Sequence, residues 1–124
     1  MELQPGEGEV SDTDRAAVVA AASDYVASWY DSDPERMRDC LHPALVKRAV
    51  EADGSLDDMT RDDMVNATSA RERAGEYEIT LLDAYGDIAT AKVLSTHYVD
   101  YVQVVRTGER WQLLNVLWQP RNGA

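Results

Sequence analysis

Cysteine is almost absent from this chain. With Cys40 alone, no intrachain disulfide can form and a zinc site built on thiolates is excluded, so the sequence suits a reducing compartment, the cytoplasm. Basic charge is also scarce: 12 Lys and Arg stand against 23 Asp and Glu, a formal charge of −11. That balance opposes approach to phosphate backbones and anionic lipid, so neither nucleic acid nor a membrane is an expected partner. No stretch stays apolar long enough to span a bilayer. Residues 1–10 have neither a basic start nor an apolar run, so they read as a disordered tail and not as a secretion signal. Histidine occurs twice, as His42 and His97, a poor basis for a metal site, and neither metal nor cofactor is expected. A Gly-rich phosphate loop, a nucleophile elbow and a helix carrying paired metal ligands are all missing.

What is present suffices for one domain with one core, expected over residues 11–120 of the 124. Ser11 precedes Asp12 and Asp14, an N-cap hydroxyl followed by carboxylates that complement the amide dipoles of a first turn. Val18, Ala22, Tyr25, Val26 and Trp29 then recur with helical period and give one apolar stripe. Asp33-Pro34 opens a short second helix with Met37 and Leu41 facing inward, and Pro43 closes it. Residues 44–50 read equally as a short strand or as irregular chain, ahead of an Asp53-Gly54 turn in a polar loop. Thr60 with Asp63 forms a capping-box pattern, Met59 is poised to staple onto Met64, and Gly75 is a plausible end for that third helix.

Beyond Gly75 the period changes to two. Residues 77–85, 88–96, 97–105 and 110–118 are rich in Val, Leu, Tyr and Trp, and read as four strands joined by tight hairpins. Helices first and a meander afterwards predict an α+β layer pair. A two-residue turn at Thr107-Gly108 sets Asp100 across from Asn115, and Tyr98 across from Leu117, on a face shared with Val102, Val104, Trp111 and Leu113. His97, Tyr101, Gln103, Val116 and Trp118 fall on the other face, which is more apolar than a solvated surface needs and predicts a second subunit there. A bulged three-residue turn undoes this assignment. A carboxylate among Val, Leu, Tyr and Trp requires either a pocket role or hydrogen-bonding partners, because burial alone raises its pKa.

Several segments together resemble a known family: Trp29-Tyr30-Asp31-Ser32-Asp33, Leu41-His42-Pro43-Ala44, Thr60 to Val65, Tyr98-Val99-Asp100-Tyr101, the hairpin Gly108, and Trp111 to Trp118. The chain is similar, from Asp12 onward, to the nuclear-transport-factor-2-like superfamily and within it the "Putative lumazine-binding" branch. The resemblance implies a cone-shaped α+β barrel in which three N-terminal helices pack on a curved antiparallel sheet, a pocket between them, and a homodimer through the outer sheet face. Ketosteroid isomerases, dehydratases and polyketide cyclases share that fold, as do non-catalytic adaptors, so fold does not select chemistry. Where the branch often carries a Lys after the last-strand Asn, this chain has Val116.

The candidate site follows. Asp100 is the acid–base group, Tyr98 the phenol beside it, and His42 a base at the mouth of the cone. Tyr25, Trp29, Tyr30, Met64, Trp111 and Asn115 are candidate ligand contacts, with core packing or helix capping as the competing role for each. Two functions compete: a small-molecule-binding domain for a small hydrophobic or aromatic ligand, in its sharpest form a cofactor-free lyase or isomerase, and a non-catalytic homodimerisation or protein-interaction domain.

Overall fold

A computed structural model describes residues 2, 4–69 and 74–121. Helix α1 spans Asp12–Asp31, and the Ser11 hydroxyl accepts from the Asp14 N–H as the capping pattern predicts. Ser32 ends it in the left-handed region at φ 52°. Asp33 then caps α2 (Pro34–Cys40), accepting from the Arg36 N–H. Leu41 does not extend that helix and Pro43 does not close it; both lie in strand β1, Leu41–Val50. The reason is burial alternation: Leu45, Lys47 and Ala49 point inward while Arg48 and Val50 are exposed. The polar loop that follows is partly a strand, β2 (Leu56–Thr60), paired antiparallel with β1. Thr60 caps α3 (Arg61–Thr68) in a complete capping box with Asp63.

Gly75 lies beyond α3, and residues 70–73 are outside the described residues. Its place is explained by crowding, because a Cβ there would overlap the ring of buried Tyr30. Four strands follow: β3 (Tyr77–Tyr85), β4 (Ile88–Ser95), β5 (Tyr98–Thr107) and β6 (Arg110–Pro120). The six strands form one sheet in the order β2-β1-β6-β5-β4-β3, open between its edges β2 and β3. The expected antiparallel sheet is in fact mixed, since β1 runs parallel to β6. The long stretch of chain between those two strands permits this, whereas short hairpins enforce the antiparallel pairs elsewhere.

The helices cover one face of this α+β fold, and Met37, Leu41, Leu45, Met64 and Leu113 are fully buried between the layers. Of the segment expected as a disordered tail, Val10 joins the core, and the Gly86 N–H donates to the Gly8 carbonyl at 2.9 Å. Among the described residues no helix is long and apolar enough to cross a membrane.

The β5–β6 hairpin departs from the expected register. Its turn is Gly108-Glu109, between the paired Thr107 and Arg110, with Gly108 at φ 65°. Val104 pairs with Leu113 but Gln103 pairs with Asn115, so Leu114 is an extra residue in β6. A bulge of this kind reverses the alternation beyond it. Asp100 therefore lies across from Trp118 and not from Asn115. Val116 and Trp118 turn inward, Asn115 and Leu117 outward.

Candidate functional site

Three polar side chains from three elements meet between α1 and the sheet. On β5, Asp100 and Val102 alternate inward, and on β1 Leu45, Lys47 and Ala49 do the same. The backbones of Lys47 and Asp100 stand two strand spacings apart, ~10 Å, with β6 between them. Tyr25 reaches down from α1 to join them. Lys47 Nζ donates to Tyr25 Oη at 2.7 Å, and Tyr25 Oη donates to Asp100 Oδ2 at 2.6 Å. Lys47 Nζ lies 4.0 Å from the same Oδ2.

Burial sets the electrostatics of this chain of groups. Lys47 and Asp100 are only 8% and 5% exposed, so water screens neither charge. Burial pushes the Asp100 carboxyl above its ordinary range, opposed by the Lys47 charge and the Tyr25 hydrogen bond. It lowers the Lys47 ammonium in the same way, opposed by Asp100. The acid and the base thus move toward one another, which lowers the cost of passing a proton between them. Tyr25 is held well above its usual value by burial and then by the neighbouring carboxylate, so its hydroxyl stays protonated. The Lys47 ammonium also faces aromatic rings, 4.9 Å from the Trp118 ring centre, 5.2 Å from Tyr25 and 5.8 Å from Trp29. Those π faces replace part of its lost hydration.

These groups line a cavity of about 80 Å³ with Trp29, Met59, Met64, Ser95, Tyr98 and Trp118. That is room for a few heavy atoms, below the ~150 Å³ of a dry cavity that admits benzene. Tyr98 packs edge-on against Trp29 at 6.5 Å and Trp118 at 5.2 Å, making an aromatic wall beside the charged groups.

Of the expected site residues, Asp100, Tyr98, Tyr25, Trp29 and Met64 come together here. Four do not. His42 sits at the start of β1, where its Nδ1 accepts from the Ala44 N–H at 2.9 Å, a local turn contact and not a pocket base. Tyr30 packs beside the pocket, its hydroxyl donating to Ser95 Oγ at 2.9 Å and accepting from the His97 N–H at 3.3 Å. Trp111 is buried away from the cavity, its indole N–H donating to Asp14 Oδ1 at 3.0 Å. That carboxylate is lowered by the Trp111 hydrogen bond and by Arg106, 3.0 Å from its Oδ2. Asn115, turned out by the bulge, donates to Gln103 Oε1 at 3.1 Å on the outer face.

Sequence reasoning missed Lys47 and misplaced Trp118. The signal for Lys47 was the Leu45-x-Lys47-x-Ala49 alternation, which puts a lone Lys at an inward position. The register pairs Lys47 with Val116. A lysine therefore does enter the cone, from the strand next to the one on which the resemblance expected it. Cys40 is buried, with its thiol pushed up to about 12 by that burial, and so is unreactive. Among the described residues no three His, Cys, Asp or Glu converge as metal ligands.

A layer of helices over one face of a sheet, with an aromatic and charged pocket between, is an α+β fold of the class seen in solved structures described as NTF2-like. Within that class the chain belongs to the family described as "Putative lumazine-binding", which it matches over residues 13–119. Solved structures similar in fold include an NTF2-like protein of unknown function from Shewanella baltica OS155, at TM-score 0.80 and 14% identity over 92% of this chain and 98% of that one. Another, from Methylobacillus flagellatus KT, gives TM-score 0.80 and 17% identity over 93% and 98%. A ketosteroid isomerase-like protein from Erwinia carotovora atroseptica gives TM-score 0.69 and 13% identity over 89% and 98%. No curated protein matches the sequence.

Proposed function

We propose that this domain binds a compact small molecule at the Lys47–Tyr25–Asp100 chain, its apolar part against Trp29, Tyr98 and Trp118. The observation that carries the reading is that a buried carboxylate, phenol and ammonium, hydrogen-bonded in series, border an open cavity. A purely structural polar network needs no cavity beside it. The same series could supply acid–base chemistry without a cofactor, as in a lyase or isomerase, because its members have converging pKa values. A fused two-ring ligand such as a pteridine requires the walls to part.

A thermal-shift series over small acids, aldehydes, ketones, aromatic acids and pteridines tests the reading. A ligand at a hundred times its Kd stabilises the native state by about 2.7 kcal/mol, and Asp100→Asn is expected to remove that response. Equal response in the wild type and the variant would place binding elsewhere.

A second property is supported on the opposite face. Tyr101 and Leu117 are register partners on the outer side of the sheet, 48% and 50% exposed. Beside them Tyr85, Ile88, Gln103, Val105 and Leu114 line a groove of about 270 Å³. We propose that a second copy of the chain covers this face, as an unpartnered apolar sheet surface favours. Light scattering at moderate salt, which screens the acidic charge, is expected to give a dimer for the wild type and a monomer for Leu117→Glu. A wild-type monomer at micromolar concentration removes the proposal.

A further inference from the structure

A buried lysine that opens onto a cavity is a candidate nucleophile as well as a charge. Lys47 Nζ borders the cavity, is held at 2.7 Å by the Tyr25 hydroxyl, and is flanked by the Trp118 and Trp29 rings. We propose that the Lys47 amine condenses with a small aldehyde or ketone in this cavity to form an imine. The inference rests on the ligand-binding reading above and names the chemical class of its ligand.

The step balances without any further reactant. The Nζ lone pair attacks the carbonyl carbon, a C–N bond forms, and the C=O π pair moves to oxygen. The two protons of the neutral amine pass to that oxygen, which leaves as water while C=N forms. Aldehyde and amine give imine and water. Tyr25 is placed to relay those protons, since its oxygen accepts from Nζ and its hydrogen points at Asp100. Asp100 can take up the first proton and return it to the departing hydroxyl. Burial favours the uncharged amine that this step requires. The titratable groups facing it are Tyr25 from α1 and Asp100 and Tyr98 from β5, with Cys40 acting on Tyr25. A cavity of about 80 Å³ selects a compact carbonyl compound.

The sequence supplies its own control, because Lys92 is the one other lysine. It lies on β4 across from exposed Tyr101, on the outer side of the sheet, so labelling is read both in the wild type and in Leu117→Glu, in which that face stays uncovered. The full chain is incubated briefly at neutral pH with acetaldehyde or pyruvate and cyanoborohydride, which reduces an imine to a stable alkylamine, and is then mapped by peptide mass spectrometry. The expected result is one alkyl group on the Lys47 peptide before Lys92 or the α-amino group is labelled. Tyr25→Phe is expected to slow labelling at Lys47 and leave Lys92 unchanged. Mapping the wild type decides the matter even if variants fold poorly. Labelling of Lys47 no faster than Lys92 overturns the imine. A carbonyl compound that raises the melting temperature without labelling Lys47 also overturns it, but leaves the ligand-binding reading standing. If nothing in the thermal-shift series binds and Lys47 is unlabelled, both fall.

Discussion

Lys47→Met is expected to destabilise the domain by about 3–5 kcal/mol at neutral pH, the range found when one partner of a buried charged pair is removed. The carboxylate of Asp100 would keep its Tyr25 hydrogen bond and lose the Lys47 charge that offsets its burial. Thermal melts should show a fall on the order of 10 °C. Adding Asp100→Leu should recover part of the loss, because an apolar pair of similar volume replaces two buried charges at little cost, while the buried Tyr25 hydroxyl is left without its two partners. The pH dependence has a definite sign. Asp100 has a folded pKa raised by burial, and without Lys47 it rises further. A group of this kind contributes stability that is fully present below its unfolded pKa and is lost as pH rises through the folded one. The deficit of Lys47→Met relative to the wild type should therefore grow from acidic to neutral pH, and this growth should be absent from the double variant. Single and double variants with equal deficits at neutral pH would show that the pair carries no coupled charge.

The second large effect is expected at a glycine. Gly75→Ala should cost about 1–3 kcal/mol, as overpacking does where neighbours cannot move. The new methyl would overlap the Tyr30 ring, and that ring is fixed by its bonds to Ser95 and to the His97 backbone. Urea unfolding measures the loss. In a Tyr30→Leu background the same substitution should cost clearly less, a non-additivity expected of residues in direct contact. Equal cost in both backgrounds would mean that Gly75 is required for its backbone and not for its lack of a side chain.

How much of this was legible in the sequence depended on how local each signal was. Ser11 with Asp14, Asp33 with Pro34, and Thr60 with Asp63 are caps formed within four residues, and all three stand where the pattern puts them. Alternation along one strand put Asp100 on the face of Val102 and Val104, but whether that face meets the pocket was not legible, since it depends on where the helices pack. Asn115 failed because one extra residue, Leu114, reverses the alternation beyond it, and no local pattern announces a bulge. Lys47 was hidden for a different reason. Its strand pairs on one side with β6, far along the chain, and on the other with β2, whose Asp57-Asp58 read as polar loop, so residues 44–50 offered no recognisable partner from which to infer their shape. His42 and Trp111 were drawn in by chemical type, and each makes its hydrogen bond outside the cavity lining.

The parallel pairing of β1 with β6 also sets an order in time. A chain emerging from the ribosome makes Lys47 early and the strand that seats it last. Until β6 arrives, β1 has only β2 beside it, and the gap between Lys47 and Asp100 is not spanned. Contacts between residues so distant in sequence form slowly, because the intervening chain must first be ordered. The pocket is therefore a late product of folding, and its ammonium and carboxylate remain in water until the apolar layers have closed.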